Sequence, residues 1–189
     1  IIVDANHDTV EGFQYTPQTG TTVEPIMVMW GLSMSPNGYH LETGTSFSTD
    51  RENNGALIII RMPDNSLFIN DGGHLAQMGD KDCDALLAYL RELTGTTSTN
   101  TKMVINCWFL SHAHDDHFMG FSRFMNKNHE HFDLKNIAYN IDIERDDPTR
   151  DIHDTTRMIA QHFPNVRYYK PHTGETLRIA GIDIDVMYT

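Results

Sequence analysis

Cysteine is scarce: the 189 residues hold two, Cys83 and Cys107. Two thiols so far apart in sequence make neither a disulfide framework nor a zinc knuckle, so both are read as small apolar core residues. Positive charge is also short. Lys and Arg number 14 against 26 Asp and Glu, for a formal net charge of −12. No basic stripe is present, so the long-range field repels nucleic acid and anionic membranes. That argues against a dedicated nucleic-acid surface. It leaves a phosphoester substrate open, because bound divalent cations reverse the sign locally. No apolar run is long enough to span a membrane, and no segment among these residues has the pattern of a secretion signal. The chain begins at Ile1 rather than Met, so its compartment is not read from it. A Gly-rich phosphate loop, a dinucleotide fingerprint, a legible Ser or Cys triad and an internal repeat are all missing.

What is present suffices for a core. Hydrophobic residues make up 39% and aromatics 10%, and the length suits one domain. Residues 1–54 are polar and read as an N-terminal extension with short strands. Its apolar stretch Ile26-Met27-Val28-Met29-Trp30 predicts a buried strand, and Asn37-Gly38 and Asn54-Gly55 are turn signals. The pattern sharpens from residue 55 onward. Ala56-Leu57-Ile58-Ile59-Ile60 predicts a strand covered on both faces. Pro63-Asp64-Asn65-Ser66 turns the chain into a second strand, Leu67-Phe68-Ile69-Asn70, completing a hairpin. Leu86, Leu87, Leu90 and Leu93 recur at helical spacing, which predicts a helix from Asp82 to Leu93 stopped by Gly95. Met103 to Leu110 is a strongly apolar strand. A helix is expected from Phe118, a short strand at Ile137–Tyr139, a helix from Asp151 to Phe163 and a strand from Val166 to Tyr169. A closing hairpin is expected through Gly181, with apolar and acidic residues alternating in its second strand. This order of elements says α/β or α+β.

The chemistry is concentrated in His112-Ala113-His114-Asp115-Asp116-His117, at the carboxyl end of an apolar strand. In open α/β sheets that edge is where ligands bind. On a continuing strand His112 and His114 would share a face and His117 would oppose them. A turn in the backbone lets two neighbouring sites form, one from His112 and His114, the other from Asp116 and His117. Imidazole and carboxylate donors suit zinc, manganese or iron.

The run Phe109-Leu110-Ser111-His112-Ala113-His114-Asp115-Asp116-His117 resembles the Thr-His-x-His-x-Asp-His signature of the metallo-β-lactamase superfamily. The hairpin ending Phe68-Ile69-Asn70-Asp71-Gly72-Gly73 resembles that family's strand with Asp-x-Gly, and the overall look is closest to the hydrolase domain of competence proteins of the DNA-uptake type. The resemblance covers Ala56 to about Val186. It implies an αββα sandwich, of which residues 55–189 are mainly the first half. It implies that His112 and His114 are two of three imidazoles on one zinc. Asp116 and His117 would bind a second, with Asp116 the carboxylate nominated as catalytic, and Asp71 would be a buried carboxylate orienting the loop. Two ions about 3.5–4 Å apart would activate a hydroxide for attack on a phosphoester or other ester-type bond.

Three departures from the family pattern carry expectations. Asp71 is the one carboxylate of the Asn70-Asp71-Gly72-Gly73 turn. The helix entry Asp116-His117-Phe118-Met119-Gly120 lacks one family glycine, so bulk near the pocket is expected. The remaining ligands of the family pattern are expected beyond Thr189, in a longer parent protein. An isolated half would expose sheet edges, so a homo-oligomer is expected as well. Other histidines are read as follows. His74 is a candidate for approaching the cleft. His129, His131 and His172 are read as polar loop or surface-turn residues, and His153 and His162 as solvated or packed helix residues. Ser111 is expected to bond the loop backbone. The competing reading is a non-catalytic fragment acting as a binding or interaction module.

Overall fold

The computed structural model describes residues 13, 15, 18, 20, 22–30, 56–74, 78–112, 114–141 and 152–187. The two expected turns at Asn37-Gly38 and Asn54-Gly55, most of the 1–54 extension and the expected helix start at Asp151 lie outside them. Along the described residues the elements are β1 (Ile26–Met29), β2 (Ile58–Arg61), β3 (Leu67–Asn70), α1 (Asp80–Thr94), β4 (Met103–Leu110), α2 (Asp115–Asn128), β5 (Phe132–Leu134), β6 (Asn136–Tyr139), α3 (Ile152–His162), β7 (Arg167–Tyr169), β8 (Thr176–Ile179) and β9 (Ile182–Asp185). A 3-10 turn, His129–His131, links α2 to β5.

The strands form a seven-stranded mixed sheet in the order β1-β2-β3-β4-β6-β7, with β5 also paired to β4, and a separate β8–β9 hairpin. β1, β2 and β3 are antiparallel neighbours, whereas β3, β4, β6 and β7 run parallel. Parallel neighbours need a crossover, and α1, α2 and α3 supply the three. The content is therefore mixed α and β.

The helices cover one face. Leu86 and Leu90 of α1, Phe118, Phe121 and Phe124 of α2, and Ile159 of α3 pack with Ile59, Ile69, Ile105 and Trp108 of the sheet. On the other face Leu177 and Ile179 of β8 pack with Phe68, Cys107, Ala138 and Tyr169. β4, in the middle, is buried on both faces, which is why its sequence is an almost unbroken apolar run. A register shift against β3 leaves Asn106 as an extra residue, since Leu67 pairs with Ile105 and Phe68 with Cys107. The bulge changes the alternation, so that Trp108 and Leu110 join the helix-side core that Met103 and Ile105 also occupy. It thereby sets the face from which the chain leaves β4 toward His112.

Several expectations change. β1 is not buried: Ile26, Met27 and Met29 are 39%, 69% and 76% exposed. It is the edge strand, and only Val28 packs against the helix-side core. β2, its neighbour, is covered less than expected, with only Ile59 fully buried among its four residues. α1 starts earlier, because Gly79 caps it and its N–H donates to Asp82 Oδ2 at 3.0 Å. Gly95 ends it in the left-handed region, as expected. α2 also starts earlier, at Asp115, so Asp116 and His117 stand in its first turn rather than in a loop. β5 was not anticipated. Both cysteines are buried and free, and burial pushes the Cys83 thiol up to about 11.

Two glycines allow α2 to dock on the loop after β3. Gly72 N–H donates to His117 O at 2.6 Å and Gly120 N–H to Gly73 O at 2.8 Å. A Cβ on Gly120 would lie 2.1 Å from Gly72 O, and one on Gly72 would lie 2.3 Å from Phe121 N. Both obstacles are backbone, so neither can swing aside. Gly120→Ala should therefore lower stability by about 1–3 kcal/mol or more, through overpacking that shifts the Gly72 loop. Urea unfolding checks it, and a variant as stable as the parent would contradict the close approach.

Candidate metal centre

Asp71 follows β3 directly and adopts a left-handed backbone conformation, φ 57°. Aspartate tolerates that region better than most residues, at a cost of roughly 1 kcal/mol. The strain persists because every polar group of Asp71 is held. Its N–H donates to Phe109 O at 2.8 Å, and its carbonyl accepts from Trp108 Nε1 at 2.9 Å. Its carboxylate is 2% exposed as a residue and accepts four hydrogen bonds. Ser111 N–H reaches Oδ1 at 2.8 Å. Ser111 Oγ, His117 Nδ1 and Asn70 Nδ2 reach Oδ2 at 2.9, 2.8 and 3.1 Å. Trp108 in turn packs its ring on Phe121, centroids 4.5 Å apart, so the helix face and the loop lock one another.

Around this carboxylate the predicted donors gather. His112 lies with its ring 4.0 Å from that of His117 and 4.6 Å from that of His114, centroid to centroid. His112 Nε2 and His114 Nδ1 are 3.1 Å apart. His117 Nε2 and Asp116 Oδ2 are 3.6 Å apart. His114 is the residue before α2 and makes no side-chain cap to it, so its ring turns to His112 instead. Burial, reinforced by the neighbouring His117 and His114, holds His112 below the ordinary imidazole value.

These spacings bear on whether a metal fits. A tetrahedral ion with bonds of 2.0–2.1 Å to two imidazoles sets their nitrogens about 3.3 Å apart. The His112–His114 separation is close to that span, and the Asp116–His117 separation is slightly wider. His117 also has its Nδ1 committed to Asp71, which leaves Nε2 as its donor atom. The donors thus fit in type and in pairs. Each pair still needs more donors: among the described residues no three His, Cys, Asp or Glu side chains are grouped to hold one ion.

The other candidates fall elsewhere. His129 stacks on His162, centroids 3.6 Å apart, and His131 Nδ1 accepts from Arg91 Nη2 at 3.1 Å. Both contacts lie at the far end of α2, roughly 20 Å along the helix from the cluster. His172 is exposed in a turn, and its N–H donates to Glu175 Oε2 at 2.8 Å. The His153 side chain lies outside the described residues, as does that of Asp115. His74 follows the Asp71 loop and is half-buried. Phe118, part of the bulk expected at the helix entry, is buried in the helix-side core. Ser111 differs from expectation too. Among the described residues its hydroxyl bonds side chains, those of Asp71 and His112. Trp108, whose indole anchors Asp71, carried no sequence signal beyond its place in an apolar strand.

Two outcomes follow. Asp71→Asn keeps a residue that tolerates φ 57° but turns an amide donor toward groups that themselves donate. It should cost about 1–3 kcal/mol in urea unfolding, and an unchanged midpoint would remove the carboxylate from its central place. His112 should titrate by NMR below the ordinary value of about 6.5. The unfolded chain then binds the proton more readily, so the His112 contribution to stability is full above that value and is lost as pH falls through the folded value. A midpoint at or above the ordinary value would contradict the burial argument. Comparison with family models, curated proteins and solved structures gives no match to this chain.

Proposed function

We propose that this chain carries part of the metal centre of a metal-dependent hydrolase of the metallo-β-lactamase type. His112 and His114 hold one zinc, and Asp116 and His117 hold the other; manganese or iron is an alternative. The observation that carries the reading is the pairing of donors at metal-bite distances, 3.1 and 3.6 Å, around the buried Asp71. The layering supports the αββα reading: a helix layer, the large sheet and the β8–β9 hairpin on its second face. When bound, the ions supply a hydroxide nucleophile at neutral pH and stabilise the developing oxyanion.

The chain's own residues have defined tasks. Asp71 orients His117 through Nδ1 and fixes the loop between β4 and α2. Asp116 contributes the carboxylate, which makes it the residue of the cluster closest to a catalytic role. The cluster follows the carboxyl ends of the parallel neighbours β3 and β4, the edge at which ligand sites of parallel sheets lie. A phosphoester is the leading substrate class; the net charge of −12 leaves it open, because bound cations would reverse the sign locally.

A second reading has its own observation. With no three donors grouped among the described residues, the cluster would be a remnant in a non-catalytic interaction module. Metal analysis of the purified full-length protein after dialysis against zinc, with hydrolysis of a generic phosphodiester, separates the two. The hydrolase reading expects about two equivalents of metal, and loss of both binding and turnover in His114→Ala. No bound metal, together with no hydrolysis of ester, thioester or lactam, would establish the module instead. No described helix is long and apolar enough to cross a membrane.

A further inference from the structure

Hydrogen atoms around Asp71 can be counted. As a carboxylate Asp71 only accepts, so the 2.9 Å contact of Ser111 Oγ with Asp71 Oδ2 requires the single hydroxyl hydrogen of Ser111. That hydrogen is then spent. Ser111 Oγ also lies 2.9 Å from His112 Nδ1, and at that distance one of the two atoms must donate. Only His112 has a hydrogen left to give. The chain of donation therefore runs from His112 Nδ1–H to Ser111 Oγ–H to Asp71 Oδ2. The opposite order would face the hydroxyl oxygen against the carboxylate with no hydrogen between them.

We propose that Ser111 is a positioning residue for the metal centre: its hydroxyl extends the Asp71 carboxylate to His112 and holds the His112 proton on Nδ1, leaving Nε2 bare toward His114. The same carboxylate oxygen does this to His117 directly, at 2.8 Å. One buried group thus sets the tautomer of one imidazole in each donor pair. With His112 Nε2 bare, the 3.1 Å contact to His114 assigns the bridging hydrogen to His114 Nδ1 in the metal-free chain. His114 is exposed, so this hydrogen can leave to solvent and return on Nε2 when a cation takes its place. His112 and His117 are poised as ligands beforehand, and His114 is the one that exchanges.

The proposal rests on the metal-centre reading only for its effect on affinity; the tautomer belongs to the metal-free chain. Long-range ¹⁵N NMR of the imidazoles reads it directly. The full chain is measured metal-free at about pH 8.5, two units above the ordinary histidine value. His112 should carry its proton on Nδ1 in the parent, lose that preference in Ser111→Ala and keep it in Ser111→Thr. Zinc affinity, measured by competition with a chromophoric chelator, should fall about tenfold in Ser111→Ala and stay near the parent value in Ser111→Thr. A parent His112 protonated on Nε2, or an unchanged tautomer in Ser111→Ala, overturns the proposal. The parent spectrum decides alone if the alanine variant does not fold. Should the tautomers be as stated while the parent binds no zinc, the role of Ser111 stands and the metal reading falls. Should the parent bind zinc while Ser111→Ala changes neither tautomer nor affinity, the reverse holds.

Discussion

A buried carboxylate in a strained backbone position joins the three elements around the His cluster. Asp71 ends β3, its N–H and Oδ1 are tied to Phe109 and Ser111 at the end of β4, and its Oδ2 reaches His117 in the first turn of α2. A buried carboxylate without partners would cost several kcal/mol, so the four donors around it are a condition of the fold and not an ornament of the site. The same donors keep φ at 57° against its intrinsic cost. Removing any one of the three elements would leave the others with unpaired buried groups.

The close approach of α2 makes this arrangement rigid. Gly72 and Gly120 bring backbone against backbone, so the first turns of the helix cannot slide along the loop. Trp108 closes the arrangement from below by bonding the Asp71 carbonyl while its ring packs on Phe121. A packed core resists continuous deformation, and it passes that resistance to the histidines standing on it. The spacing of the histidines is thus set by the sheet and helix that carry them.

The parts of this that were legible in sequence are those with local causes. β4 reads as a strand because both its faces are covered, and the gathering of His112, His114 and His117 shows in the sequence because the three are neighbours in the chain. The start of α2 was read too late: Asp115-Asp116 is an acidic first turn, but His114 before it makes no side-chain cap, and the apolar run begins only at Phe118. β1 was misjudged because Ile26 to Met29 has the composition of a buried strand, and composition does not reveal which strand lies at an edge. Three residues of β5 are too few to show a period. The bulge at Asn106 and the Ser111–Asp71 contact depend on partners about forty residues away, and no local pattern encodes them.

Charge supplies the last constraint. A net charge of −12 concentrates cations near the molecule and repels anions, including a phosphoester. The cluster adds Asp116 at its rim and Asp71 beneath it, so in the metal-free state its neighbourhood is negative as well. An anionic substrate would therefore approach only after cations had reversed the local sign. Metal binding would then come first in order, by electrostatics and not only by chemistry.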